Sequence, residues 1–303
     1  MMCPLSTPMN TPAADTSAPT AGACSPKTTV TTYVVLCFLF SSPIWYLSAR
    51  ATAAETDDSG GLLYTVAVMW CPALAAIVTR LWRGGGLRGF GWCLGKVRWL
   101  LWAAVIPIVA GLLMFGSAWI SGVAPIDGAK LAKILSPGFI PFFLLVSGFS
   151  CFAALGEELG WRGLLVPELA RCMGFSGVCL LSGVIWTVWH FPLILFGSYH
   201  GQGSVWLSLA AFIPVAMASG IAQAWLRLAS GSLWGSVLMH GFWNYFIQVF
   251  FPYFTRQTPA GEMMLGEFGW FAPLLAVVIA PVFWRLGHRL PYSPGVKLPI
   301  HAE

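Results

Sequence analysis

The chemistry available to this chain is concentrated in three short strings of an otherwise apolar sequence. They are Gly156-Glu157-Glu158-Leu-Gly-Trp-Arg162, Trp186-Thr-Val-Trp-His190-Phe-Pro192 and His240-Gly-Phe-Trp-Asn244. Together they supply two carboxylates, two imidazoles and an amide, the parts needed to activate a water and hold a polarised carbonyl. On a helix Glu158 and Arg162 are four residues apart, the spacing at which a carboxylate meets a guanidinium. Glu157 is turned about 100° from Glu158 around the axis, so it does not share that partner equally and is the candidate general base. His190 would position the water or share its proton. His240 and Asn244 are also four apart and project from one face, where both could donate to the oxyanion of a tetrahedral intermediate. A preorganised donor of that kind is worth about 3 kcal/mol.

Each string also has a plain structural reading. The glutamates could line a helix–helix contact, His190 could be a satisfied histidine among aromatics, and His240 with Asn244 could be an interhelical hydrogen-bond pair. Their conjunction on three separate segments favours a site. No G-x-S-x-G elbow, H-E-x-x-H or P-loop occurs, so a serine hydrolase, a zincin and an ATPase lack their usual signatures. The eight cysteines form no C-x-x-C, and most sit in apolar runs, where a free Cys behaves as a small hydrophobe.

The elements that must position these residues follow from composition. Of 303 residues, 57% are hydrophobic and 9% charged, against roughly 25% charged in a typical soluble domain. That excludes a pair of soluble domains, a secreted disulfide scaffold and a nucleic-acid-binding domain. A bilayer span needs about 20 predominantly apolar residues. Eight such segments lie near 29–49, 61–82, 98–121, 138–158, 175–196, 204–226, 232–253 and 268–286. The predicted fold is therefore all-α, a polytopic membrane protein built as a bundle of about eight transmembrane helices. Interior prolines imply kinks, and Pro192 should open its helix near His190 by withholding an N–H from the Val188 carbonyl. No internal repeat supports an inverted-repeat transporter. Residues 1–28, rich in Ser, Thr, Pro and Ala, read as a disordered N-terminal tail. Residues 29–290 form the transmembrane domain, and 291–303 a cytoplasmic C-terminal tail.

With eight spans both termini share a side. That side collects Lys27, Arg80, Arg83, Arg88, Lys96, Arg98, Arg162, Arg171, Arg227, Arg285, Arg289 and Lys297, twelve in all. The other side has four, Arg50, Lys130, Lys133 and Arg256, together with the acidic Glu55, Asp57 and Asp58. The excess of Lys and Arg on cytoplasmic loops places both termini in the cytoplasm. The site, read as lying at the cytoplasmic end of the fourth span, is expected to open to that side.

At these residues the chain resembles the CPBP (CAAX protease and bacteriocin-processing, or ABI) family of intramembrane proteases, which includes the Ras-converting CAAX endopeptidase of eukaryotes. The family pattern is E-E-x-x-x-R, an aromatic-x-x-x-His, then His-x-x-x-Asn/Asp on a later span. Here Glu157-Glu158-x-x-x-Arg162, Trp186-x-x-x-His190 and His240-x-x-x-Asn244 stand in that order, over a motif core of residues 156–244. Trp186 takes the place of the more usual Phe, a departure that keeps an aromatic face. The string GWRGLLVPEL is similar to the bacterial branch, which implies a bacterial inner membrane.

The resemblance implies an intramembrane endopeptidase in which Glu157 activates water with His190, while His240 and Asn244 form the oxyanion site. Glu158, Arg162 and Trp186 would support them. It favours no cofactor; zinc is the alternative, with Glu157, His190 and His240 as its ligands. The expected partners are the bilayer and a membrane-associated protein or peptide substrate, prenylated as for the eukaryotic relative or not, and no nucleic acid. The alternative function is a non-catalytic membrane scaffold, or a bacteriocin-immunity or regulatory protein of the same fold. A transporter fits less well, because the charged residues cluster in one site rather than along a pathway.

Overall fold

The computed structural model describes residues 25–54 and 61–290. Most of the 1–28 tail, the 291–303 tail, Lys297 and the acidic cluster Glu55, Asp57 and Asp58 lie outside the described residues. Helix α1 spans Pro26–Ala53, α2 Gly61–Trp82 and α3 Val97–Ser121. A short α4, Gly128–Ile134, leads into α5, Phe139–Glu158, which a π-helical turn (Leu159–Leu165) and α6 (Val166–Ala170) then continue. After α7 (Phe175–Phe196) and α8 (Val205–Ser230) comes α9 (Trp234–Tyr245), which passes through a second π turn (Phe246–Phe250) into α10, Phe251–Tyr253. The short α11, Pro259–Met264, precedes α12, Phe271–Gly287. No strand occurs among the described residues, and the one extended pairing is an isolated bridge between Ile126 and Thr255.

Six helical runs, α1, α2, α3, the continuous 139–170 run, α7 and α8, are long and apolar enough to cross a membrane. The run from Trp234 to Tyr253 and the 17-residue α12 occupy the seventh and eighth expected spans. At 1.5 Å per residue α12 is about 26 Å long. Leu63, Leu145 and Val277 are each about two-thirds exposed on the outer surface. Large apolar side chains displayed in this way need lipid rather than water around them. The molecule is an all-α polytopic membrane bundle.

The interior prolines do not break their helices: α1, α2, α3, α7, α8 and α12 each run continuously past one. In particular α7 stays helical through Pro192 to Phe196, so the expected opening beside His190 is absent. The departures from α geometry fall at the two π turns, of which the first begins immediately after Glu158. Close packing accompanies it. A Cβ on Gly156 would stand 2.6 Å from the Met69 carbonyl oxygen, and one on Gly160 would strike the Tyr33 hydroxyl and Pro72. The two glycines four residues apart thus let α1 and α2 lie against the start of the wide turn.

The bundle has two distinguishable ends. At the end that carries Pro26 and Leu290, Arg83 Nη2 donates to the Thr28 carbonyl at 3.2 Å. There too the Leu233 N–H donates to Gly91 O at 2.8 Å. At the opposite end the Asp127 N–H donates to Phe254 O and the Arg256 N–H to Pro125 O, each at 2.8 Å. The rings of Tyr199 and Phe268 meet edge to face there, 5.0 Å between centroids.

Candidate active site

Glu157 is 2% exposed and is held by two tryptophans. Trp161 Nε1 donates to its Oε2 at 3.1 Å, and Trp186 Nε1, from α7, donates to the same oxygen at 2.7 Å. Both donors converge on Oε2, which leaves Oε1 as the oxygen able to face a substrate or a water. Behind this pair Trp161 packs edge to face on Tyr33 and Trp189. Trp189 is itself pinned by donation to Ser41 Oγ at 2.8 Å. The Trp161 indole is therefore backed by α1, an element outside all three sequence strings.

Glu158, fully buried, collects a different set of donors. Arg162 Nη1 reaches its Oε1 at 2.9 Å, and His240 Nδ1 lies 2.8 Å from the same oxygen. The Gln223 amide, oriented so that its nitrogen faces the carboxylate, donates to both oxygens at 3.1 Å. Arg162 also lies over the face of Trp186, 4.6 Å from the ring centre, and Arg227 Nε donates to the Arg162 carbonyl at 2.8 Å. A charge buried in this way is tolerable because every partner is present. Glu158 thus joins α5, α8 and α9 at one point.

These hydrogen bonds fix the tautomers of both histidines. His190 Nδ1 lies 2.8 Å from the Trp186 carbonyl, which can only accept, so Nδ1 carries the proton and Nε2 is the free acceptor. His240 Nδ1 likewise donates to Glu158, so its Nε2 becomes a donor only when the ring is doubly protonated. Asn244 Oδ1 accepts from Gln248 Nε2 at 3.4 Å, which turns the Asn244 amide nitrogen away from Gln248. Gln248 Nε2 also donates to Glu267 Oε2 at 2.8 Å, and Glu267 takes further bonds from Tyr199 at 2.5 Å and Trp243 at 3.2 Å. Burial pushes the Glu267 carboxyl above its ordinary range, and the three donors offset only part of that. Burial and the neighbouring Glu267 hold the Tyr199 hydroxyl protonated well past its usual value.

Glu157, His190, His240 and Asn244 line one chamber. Ser48, Gly61, Thr65, Ser198 and Gln248 also line it, all from the bundle end opposite the described chain termini. Thr65, Ser198 and Gln248 are exposed and Asn244 half-buried, while Glu157, His190 and His240 are buried. On the other side of the glutamates every residue from Leu159 to Ala170 is buried. The 83–96 loop closes over them there, with Phe90 packed on Gly163 and its carbonyl accepting from Arg227. The chamber therefore opens away from the termini. Termini in the cytoplasm and a chamber open to the cytoplasm cannot both hold. The fourth span continues for seven π-helical and five α-helical residues beyond Glu158, so the glutamates sit within the helix and not, as expected, at its end.

A second cavity lies among α3, α7, α8, α9 and α12 and shares His190, Tyr199 and His240 with the first. Its walls are mostly apolar, with Phe212, Leu275, Ala218 and Ala222 among them. Of the seven residues singled out in the sequence, four line the first chamber and Trp186 lines the second. Glu158 and Arg162 line neither and act from behind. Sequence reasoning missed Trp161, Gln223, Tyr199, Gln248 and Glu267. Gln223 carried a readable signal, a lone amide in an apolar span, and so did Glu267, one of only 11 acidic residues. Trp161 and Tyr199 carried none, because nothing local distinguishes an indole or phenol that donates from one that only packs.

Among the described residues no three His, Cys, Asp or Glu side chains gather in a way that could hold a metal ion. A zinc site ordinarily takes at least three protein ligands, and the donor set here does not fit one.

Residues 136–246 match the family described as Type II CAAX prenyl endopeptidase Rce1-like. The chain is similar to the CAAX prenyl protease 2 of Methanococcus maripaludis, 34% identical over 97 residues, which are 31% of this chain and 34% of that protein. It is similar as well to the CAAX prenyl protease 2 of Homo sapiens, 34% identical over 96 residues, 31% of this chain and 29% of that protein. These matches span about a third of the length of the curated relatives. The matched segment contains both glutamates, both histidines and Asn244, and over it the chain is similar to the Rce1-like CAAX prenyl endopeptidases.

Proposed function

We propose that the chain is an intramembrane endopeptidase that cleaves a membrane-associated protein or peptide with a water activated by Glu157. The observation that carries this reading is the pair of indole N–H groups on Glu157 Oε2. They aim a carboxylate into the chamber it shares with His190, His240 and Asn244. In the first step Glu157 takes a proton from a water, whose oxygen bonds to the scissile carbonyl carbon. His190 Nε2, an acceptor by its tautomer, takes a hydrogen bond from that water and orients it. The oxyanion is met by the Asn244 amide and by His240 in its doubly protonated form, with Glu158 as the counter-charge. Collapse of the intermediate breaks the C–N bond, and Glu157 returns its proton to the leaving amine. No metal takes part.

The apolar chamber beside the site would take the hydrophobic part of the substrate, a prenyl chain where one is attached. The test is hydrolysis of prenylated and unprenylated peptides by the purified chain, with Glu157→Gln and His190→Ala alongside. Glu157→Gln is expected to lower kcat by about 10³-fold, within the range for loss of a general base, and exhaustive chelation to change nothing. Full activity in both variants overturns the mechanism. A scaffold reading is favoured by one observation, the complete satisfaction of Glu158 by Arg162, His240 and Gln223. It gains if Glu157→Gln leaves a cellular phenotype intact while Glu158→Ala destroys folding.

A further inference from the structure

We infer that Glu267, acting through Gln248, fixes the Asn244 amide with its nitrogen towards the chamber. The orientation stands on hydrogen-bond geometry, and its use in hydrolysis rests on the endopeptidase reading. Glu267 lies between α11 and α12 and does not line the chamber, whereas Asn244 and Gln248 both do. It is therefore a positioning residue and not a catalytic one.

A side-chain amide has a donor end and an acceptor end of nearly the same shape, so its neighbours must choose between them. Asn244 and Gln248 are four residues apart, and taken alone either could donate to the other. Glu267 removes that freedom. Tyr199 Oη, Trp243 Nε1 and Gln248 Nε2 all donate to its carboxylate. A carboxylate only accepts, so Gln248 turns its NH2 group to Glu267, at 2.8 Å. The same nitrogen carries a second proton, which goes to Asn244 Oδ1 at 3.4 Å. With its oxygen taken, Asn244 is left to offer Nδ2 to the oxyanion. Turned the other way, it would set a carbonyl oxygen against that charge.

The support behind Glu267 is stiff. Gly266 has a φ of +79°, a turn conformation that favours glycine, and its N–H donates to Met114 Sδ at 3.2 Å. A Cβ on Gly269 would strike the Leu265 carbonyl. The Tyr199 ring is wedged edge to face against Phe268 and Phe212, 5.0 and 6.0 Å between centroids. The polarity of one loop carboxylate thus reaches the site through a single glutamine.

Exchanging the two groups, Gln248→Glu together with Glu267→Gln, keeps a tie between the loop and the second π turn but reverses its polarity. The new carboxylate at position 248 accepts from the new amide at 267 and demands Nδ2 from Asn244. In the purified full chain the exchange is expected to lower kcat for a peptide by about 10²-fold, the cost of one oxyanion donor, with KM and Tm close to wild type. A merely structural tie survives the exchange, so wild-type kcat overturns the inference. Added to Asn244→Ala, the exchange should cost nothing more; a further loss of the same size also overturns it. Gln248→Leu gives a readout free of turnover. The Asn244 side-chain amide resonance, identified in protein carrying isotopically labelled asparagine by its absence in Asn244→Asp, should move in that variant. An unmoved resonance overturns the inference, and this measurement decides if the exchanged pair does not fold. No hydrolysis by the wild type sinks the endopeptidase reading instead, and the resonance alone then upholds or overturns the orientation.

Discussion

Trp186 donates its indole N–H to Glu157 Oε2 at 2.7 Å, so the residue that orients the candidate base comes from a helix other than the base's own. The backbone carbonyl of the same tryptophan takes the Nδ1 proton of His190. One residue thus sets the geometry of a carboxylate with its side chain and the tautomer of an imidazole with its main chain. Phe, the more usual residue in the family pattern, could do only the second.

Trp186→Phe separates these two roles. The ring under Arg162 and the Trp186 carbonyl remain, while Glu157 keeps only the donor from Trp161. A hydrogen bond to a charged group is worth about 1.5–3 kcal/mol, so kcat should fall about tenfold or more, with little change in thermal unfolding. Wild-type kcat in the variant shows that the bond is incidental.

Glu158 and Arg162 predict loss of fold. Removing one partner of a buried ion pair costs about 3–5 kcal/mol, because the other charge is left uncompensated. Glu158→Ala strips the acceptor from Arg162, His240 and Gln223 at once. It should yield little monodisperse protein in detergent, or protein with a sharply lowered Tm. Arg162→Lys should not restore stability, because a Lys ammonium replaces neither the planar stacking on Trp186 nor the guanidinium geometry. An unchanged Tm in Glu158→Ala removes the clamp role.

The spans and the motif residues were legible in the sequence because a 20-residue apolar stretch has one cheap solution in a bilayer, and because each ionisable group at membrane depth needs a reason. The π turn after Glu158 was not legible. It depends on how closely α1 and α2 approach Gly156 and Gly160, a tertiary fact with no local signature. The missed turn carried the missed depth of the glutamates with it, since ending the fourth span at Glu158 puts them at the end of a helix that runs on to Ala170. Trp186 was recognised as an aromatic face and not as a donor, because ring packing and N–H donation use the same residue.

Glu267 predicts a pH dependence at the chamber mouth. Its carboxyl lies above the ordinary value of 4.5 because of burial, so the folded state holds its proton more tightly than the unfolded chain does. The sign follows from linkage. The stabilisation from this group is fully present below about 4.5 and is lost as pH rises through the raised folded value. The Tm of the wild type should therefore fall as pH rises across that window, and Glu267→Gln, which cannot titrate, should remove this part of the slope. The same slope in the variant assigns the dependence to another group.

Gly156 predicts that backbone approach matters independently of charge. A Cβ there would stand 2.6 Å from the Met69 carbonyl oxygen and 2.8 Å from the Trp70 ring. Backbone cannot step aside as a flexible side chain can, and overpacking of this kind costs about 1–3 kcal/mol. Gly148, two turns earlier in α5, has nothing within 4 Å of the same built atom. Gly148→Ala should therefore be neutral or slightly stabilising through helix propensity, by at most about 1 kcal/mol. Gly156→Ala should lower Tm and also activity, because moving α2 off α5 shifts Glu157, the next residue, relative to the Trp186 donor on α7. Equal Tm values for the two alanine variants would show that α2 and α5 have room to relax, and that the site does not depend on their contact.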